Sequence, residues 1–152
     1  MENKTPGLAE PLTFTGRVHM QLFDEHGNMK QEHYGDNLVV TTGKAFAASA
    51  LIATTAITFG YMAVGTNATA AALSDTTLGT ETARVAAAMS NPTSVTAQFV
   101  ATFGAGVATG TIQEIGLFSA ASNGTMFSHY LTGAYVKNAL DTLAITWVIT
   151  VS

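Results

Sequence analysis

The chain has 152 residues, which is enough for one domain with one sizeable hydrophobic core. Only 11% of its residues are charged, the net charge is −4, and Lys and Arg together number six, so it lacks the clustered positive charge that binds nucleic-acid phosphates. The absence of cysteine excludes disulfides and cysteine-based metal sites.

The start of the chain is polar and contains Pro6 and Pro11. It has no recognisable signal sequence, and the longest apolar run, Ala45–Ile57, is shorter than the roughly 20 residues needed to cross a bilayer. We therefore expect residues 1–12 to form an N-terminal arm, residues 13–152 to form one domain, and no membrane partner.

Strict alternation of apolar and polar residues from Thr13 to Leu22 predicts a half-buried strand. Turn residues around Gly27 precede a second alternating stretch, from Met29 to about Tyr34, so the two strands are predicted to form a hairpin. If the hairpin turns near His26, His19 and His33 could lie close together across the two strands. A metal site shared by three subunits is conceivable, but no ligand spacing supports it, so solvated histidines are preferred and no metal is predicted.

One short helix is predicted at about residues 42–53. Thr42 is placed to cap its first turn, and Phe46, Ala50 and Leu51 recur at helical spacing. We expect those three side chains to pack the helix against the sheet.

A strand from Phe59 to Thr66 follows, and then a long loop from Asn67 to Thr82 that is rich in Ala, Ser and Thr. Ordering such a loop costs entropy that some contact must offset, so it is expected to have a task or a partner.

The rest of the chain alternates strands with turn residues at short, regular intervals. This spacing, with one helix, predicts a mainly β, single-domain antiparallel sandwich of jelly-roll type. The further strands are predicted at Arg84–Met89, Ser94–Phe103, Thr111–Ser119, Thr125–Leu131 and Asp141–Val151.

Charged residues are scarce, so those near the long loop are candidates for structural roles. Asp75, Glu81 and Arg84 are predicted to form a salt-linked corner that pins the loop, the alternative being an exposed charged group. Glu114 lies within an apolar strand. It is either a structural carboxylate that accepts buried hydrogen bonds or a residue on the outward face of an edge strand. Trp147 shares a strand face with two isoleucines and is predicted to join the core.

The sequence contains no nucleophile elbow and no phosphate-binding loop of the Walker type. Gly104-Ala105-Gly106 lacks the third glycine of a dinucleotide fingerprint and is interpreted as a turn. We therefore predict a protein that is not an enzyme and binds no cofactor.

Six motifs in one order resemble those of small virion structural proteins of tailed bacteriophages and prophages. This resemblance implies a role in the phage particle and covers most of the chain after the first dozen residues. The motifs are Gly16–Gly27, Asn37–Lys44, Val64–Thr66, Asp75–Arg84, Glu114–Phe118 and Leu143–Ile149.

The resemblance and the charge-poor composition lead us to expect a capsid decoration, or cement, protein on the outer capsid surface. The expected partners are the major capsid protein and further copies of the chain, as a dimer or trimer joined through an edge strand. The predicted interface lies in the arm and the long loop, at Thr5, Pro6, Leu8, Pro11, Leu12, Asn67, Leu73, Asp75 and Leu78.

Two other functions remain open. The same neutral surfaces suit a tail, collar, baseplate or fibre-base component. A receptor- or carbohydrate-binding module is the alternative of another class, with Tyr61, Tyr130 or Tyr135 as a stacking platform.

Overall fold

The computed structural model describes residues 12–52 and 58–152, and within these ranges it contains nine β-strands and one α-helix. The predicted arm therefore lies outside the described residues except for Leu12. The elements are β1 (Phe14–Phe23), β2 (Met29–Val39), α1 (Thr41–Ala50), β3 (Tyr61–Gly65), β4 (Glu81–Ala86), β5 (Ala88–Ser90), β6 (Thr96–Phe103), β7 (Gly110–Phe118), β8 (Met126–Lys137) and β9 (Thr142–Val151).

All strands belong to one antiparallel sheet in the order β4-β3-β7-β8-β2-β1-β9-β6-β5. The sheet folds into two halves, and β2 joins them by pairing with β1 along its length and with β8 only at Leu38 and Val39. The two edge strands, β4 and β5, are separated in the chain by Ala87 alone. The sheet is thus nearly closed, and the predicted mainly β, single-domain sandwich is confirmed.

The main core lies between the two halves of the sheet. Alternation along each strand directs one set of side chains inward, such as Val18 and Met20 of β1, which are fully buried. Trp147 is also fully buried, so its predicted place in the core is confirmed. A smaller apolar cluster lies on the outer face of β3, β7 and β8, and consists of Val40, Ala63, Leu78, Phe118 and Met126.

The helix ends earlier than predicted and packs differently. It spans residues 41–50, and the Thr42 hydroxyl does not cap it but donates to the Met126 carbonyl of β8 at 2.8 Å. Phe46 does face the core and contacts the Phe59 ring, whereas Ala50 is exposed and Leu51 is 83% exposed. The helix lies along β8, and this position turns its C-terminal end away from the sheet. No helix among the described residues is long and apolar enough to cross a membrane.

The expected proximity of His19 and His33 is wrong. In the hairpin, His19 lies opposite Tyr34 and His33 lies opposite Met20, which points into the core. Directly paired residues share a face of the sheet, so the two histidines point to opposite faces. The hairpin itself is confirmed, although β2 continues five residues past the predicted end, to Val39.

Candidate functional site

The long loop lies over the outer face of β3, β7 and β8. It runs from Thr66 to Thr80, between β3 and β4, close to the predicted range. The Thr66 amide donates to the Thr80 carbonyl at 3.0 Å, which closes the base of the loop. Further along, the carbonyl of Leu73 accepts from the Thr41 amide at 2.8 Å and ties the loop to the start of α1.

Glu114 holds the loop from below. The bulge in β7 at Gln113 allows Ile112 and Ile115 to point inward while Glu114 points outward, beneath the loop. Glu114 is only 1% exposed. Of the two predicted roles, the structure supports the buried carboxylate that accepts hydrogen bonds, on a strand that lies between β3 and β8 and not at an edge.

The Glu114 carboxyl group makes four hydrogen bonds. Backbone amides of the loop supply three of them, from Gly79 at 2.9 Å, Thr80 at 2.8 Å and Asn67 at 3.3 Å. Three donors from both ends of the loop therefore converge on one side chain. Gly65, directly opposite Glu114 in β3, leaves room for this contact, because a Cβ there would overlap both the Thr80 carbonyl and the Glu114 side chain.

His129 of β8 provides the fourth hydrogen bond and links Glu114 to the loop residue Asp75. Its Nε2 lies 3.1 Å from the Glu114 carboxylate, and its Nδ1 lies 2.7 Å from Oδ2 of Asp75. A carboxylate can only accept a hydrogen bond, so the Nδ1–H of His129 donates to the Asp75 carboxylate while the other ring nitrogen faces Glu114. The histidine is 4% exposed, so the three side chains form a largely buried triad.

The pKa of Asp75 reflects its position in this triad. Desolvation raises the pKa, but hydrogen bonds from the Ala72 amide and from His129, together with the charge of His129, outweigh it and lower the pKa below 3.8. Asp75 is therefore held as a carboxylate by the loop that it helps to fasten.

The predicted salt-linked corner is present without Asp75. Arg84 makes a two-pronged ion pair with Glu81, with nitrogen–oxygen distances of 2.9 and 2.7 Å. Its remaining donors reach the carbonyls of Ala120 and Asn123, and its guanidinium lies 3.8 Å from the centre of the Phe118 ring. The corner thus fastens the β7–β8 turn, while Asp75 pairs with His129 instead of Arg84.

A cleft of about 310 Å³ opens between the loop and the sheet, and Glu114, His129 and Asp75 form part of its wall. Thr69, Ser74 and other loop residues line the rest. Both nitrogens of His129 are occupied by carboxylates, so in this arrangement neither is available to activate a hydroxyl. The described part of the chain contains no cluster of three His, Cys, Asp or Glu residues arranged to hold a metal ion.

The predicted interface residues are distributed unevenly. Thr5, Pro6, Leu8 and Pro11 lie outside the described residues. Leu12 is 63% and Leu73 is 50% exposed, whereas Asn67 and Asp75 are half-buried beside the cleft. Leu78 is 6% exposed and packs in the small apolar cluster under the loop, so it serves the fold rather than a surface.

The three tyrosines do not form an exposed platform. Tyr135 is 1% exposed, and desolvation raises its pKa to about 12. The Tyr130 hydroxyl lies 2.5 Å from Nε2 of His33 across the gap between β8 and β2. Tyr61 is half-buried and packs against the small apolar cluster.

His129 is the site residue that sequence reasoning did not single out. The only sequence signal was a histidine near the start of a predicted strand, in Met126-Phe127-Ser128-His129. Its two partners are 54 and 15 residues away in the chain, so no local pattern joins them.

Comparison with known proteins found no matching family model, no matching curated protein and no matching solved structure.

Proposed function

We propose that this protein is a non-enzymatic structural protein of a phage particle, a decoration protein that binds the outer capsid surface and stabilises it. The major capsid protein is its proposed partner, together with further copies of the chain as a dimer or trimer. The motif resemblance and the 11% content of charged residues support this proposal.

The single observation that carries the proposal is the loop fastened on Glu114. A loop of this length has a high ordering cost, and here buried hydrogen bonds to a rigid sheet meet that cost before any partner binds. The Asp75–Arg84 and Glu114–Phe118 motifs supply most of these contacts. These contacts hold the loop in one conformation, and a protein that binds across neighbouring subunits requires such a fixed loop.

The loop presents an apolar side chain to solvent. Leu73 is 50% exposed, although its own carbonyl is fixed by the start of α1. Leu51 and Ile52, just past the helix, are 83% and 88% exposed. Large exposed apolar side chains on a charge-poor surface favour protein–protein contact, because burying them gains free energy without leaving charges unpaired.

The test is co-sedimentation of the purified chain with expanded empty capsids and, separately, with purified tails of the phage that encodes it. We expect the wild-type chain to bind capsids, and the Leu73→Asp variant to bind them with a dissociation constant at least tenfold higher. Val95→Asp, at a position 52% exposed and distant from the loop in the sequence, is the matched control and should bind as the wild type does. Binding to tails but not to capsids would overturn the proposal in favour of a tail component.

A further inference from the structure

One end of the main core forms a pocket between the two halves of the sheet. The starts of β1, β6 and β8 and the end of β9 border it, together with α1. It has a volume of about 220 Å³ and is lined by nine described residues. Because five of these are phenylalanines, of eight in the chain, we name it the phenylalanine pocket. The five are Phe14, Phe46, Phe59, Phe99 and Phe127.

The wall of the phenylalanine pocket is apolar throughout its described residues. Besides the phenylalanines it contains only alanine, isoleucine and valine, and none of these residues exposes a polar atom to the pocket. A water molecule needs about two to four polar partners to be held inside a protein, and a polar ligand loses its hydrogen bonds to water on entering such a site. The wall therefore selects an apolar ligand.

Contacts between the rings hold this wall in shape. The centre of the Phe59 ring lies 4.5 Å from that of Phe46, with 82° between the ring planes, and 4.9 Å from that of Phe127, with 54° between the planes. On the other half of the sheet, Phe99 and Ile149 line the pocket and belong to the buried main core. Rings inclined to one another offer edges and faces to an added ring, as aromatic pairs prefer. Since the wall is already packed, a ligand that enters it orders few side chains.

The volume of the phenylalanine pocket fits one substituted aromatic ring. A cavity of about 150 Å³ with walls of the same kind binds benzene. The volume of about 220 Å³ therefore has room for a ring with a short alkyl group. A protein partner suits the pocket less, because a standard interface takes about 20–30 residues from each side and nine described residues line this pocket.

We propose that the phenylalanine pocket is a binding site for a small apolar aromatic molecule, a single ring with short alkyl substituents. The ring packs between the phenylalanines of the two sheet halves, and burial of its apolar surface drives binding. The inference is independent of the proposed capsid role, since the site is built within one copy of the chain and is tested on the purified protein.

Titration of the isotope-labelled full chain with toluene, followed by NMR, tests the site. We expect saturable binding with a Kd of about 1 mM or lower, and the largest chemical-shift changes at residues of the phenylalanine pocket. Toluene should also raise the midpoint of thermal unfolding as its concentration rises, because a ligand that binds only the folded state stabilises that state.

A matched pair of substitutions on α1 locates the ligand. Ala47 lines the pocket, whereas its neighbour Ala48 is exposed and does not line it. Ala47→Leu fills part of the pocket and should raise the Kd for toluene at least tenfold, whereas Ala48→Leu should leave it within twofold of the wild-type value. Ala97→Leu fills the same volume from β6 and should act as Ala47→Leu does.

Amide NMR spectra show whether each variant is folded. Failure of toluene to saturate the full chain would overturn the proposal, and this is the result expected if a segment of the chain or a side chain of a partner fills the pocket. Equal affinity of the wild type and a folded filling variant would also overturn it, because toluene would then bind elsewhere. Chemical-shift changes centred outside the pocket would do the same without any variant.

Discussion

For a single residue such as Glu114, the cost of burial depends on the groups around it and not on the residue type. A carboxylate in an apolar strand is costly unless its oxygens are hydrogen-bonded. Here three backbone amides and the ring of His129 meet that requirement. The loop amides also depend on Glu114, because without it those of Gly79 and Thr80 would lose their hydrogen-bond acceptor.

Replacing Glu114 with Gln should therefore be strongly destabilising. The amide keeps one acceptor oxygen but turns an NH₂ group towards donors, and it replaces the Glu114 carboxyl group that His129 contacts. We expect a loss of roughly 3 kcal/mol in the free energy of unfolding. Urea unfolding followed by the fluorescence of Trp147, the only tryptophan, measures it.

Glu25→Gln is the control for this change. Glu25 lies in the exposed turn of the first hairpin, and its contact with His26 at 3.4 Å is solvent-exposed. It should alter the free energy of unfolding by less than about 0.5 kcal/mol. Equal effects at the two positions would show that the loop does not depend on the buried carboxylate.

The lowered pKa of Asp75 should make part of the protein's stability depend on pH. Its pKa is lowered in the folded state, so its contribution is fully present above the unfolded value of 3.8 and is lost as the pH falls through the folded value. At pH 7 the wild-type protein should therefore have a larger free energy of unfolding than the Asp75→Asn variant. This difference should shrink below about pH 3.8. Urea titrations of both proteins between pH 7 and pH 2.5 check this. A difference that stays constant over that range would contradict the role assigned to the Asp75–His129 pair.

At the scale of elements, α1 shows how a tertiary contact overrides a local rule. Gly43 is buried in the first turn, where a Cβ would overlap backbone atoms of Phe127 in β8. The glycine therefore permits close packing of helix on strand. The sequence predicted the helix from its apolar spacing, but the position of its cap and its C-terminal end depended on how it meets β8.

Gly43→Ala should destabilise the protein, although alanine is favoured over glycine by about 1 kcal/mol within helices. The overlap with Phe127 backbone atoms cannot be relieved by a side-chain rotation, so we expect a net loss of roughly 2 kcal/mol by urea unfolding. Gly104→Ala is the control, since no atom lies within 4 Å of its added Cβ. A stabilised Gly43→Ala protein would show that the helix does not pack as closely on β8 as described.

The strands were more predictable than the helix. Alternation identified β1, β6, β7 and β9 nearly to their ends, because one face of each strand is buried and the other is not. β8 was predicted to end at Leu131 but continues to Lys137. Its last residues include Gly133 with a positive φ of 75°, where the pattern of alternation breaks.

At the scale of the whole molecule, the near closure of the sheet depends on strands that are far apart in the sequence. β1 pairs with β9, the first strand with the last, and β3 pairs with β7. Such pairings leave no local signal, since a strand's alternation specifies which residues face inward but not which strand lies beside it.

Residue patterns along the chain were enough to predict the mainly β class, the first hairpin, the long loop, the core position of Trp147 and the Glu81–Arg84 pair. These features depend on the period of side-chain directions, on turn residues and on neighbours only a few positions apart. Three features could be seen only in the folded chain: the strand order, the opposite faces of His19 and His33, and the triad of Asp75, His129 and Glu114. The reason is physical: burial and hydrogen bonding act between groups that are close in space, whatever their separation along the chain.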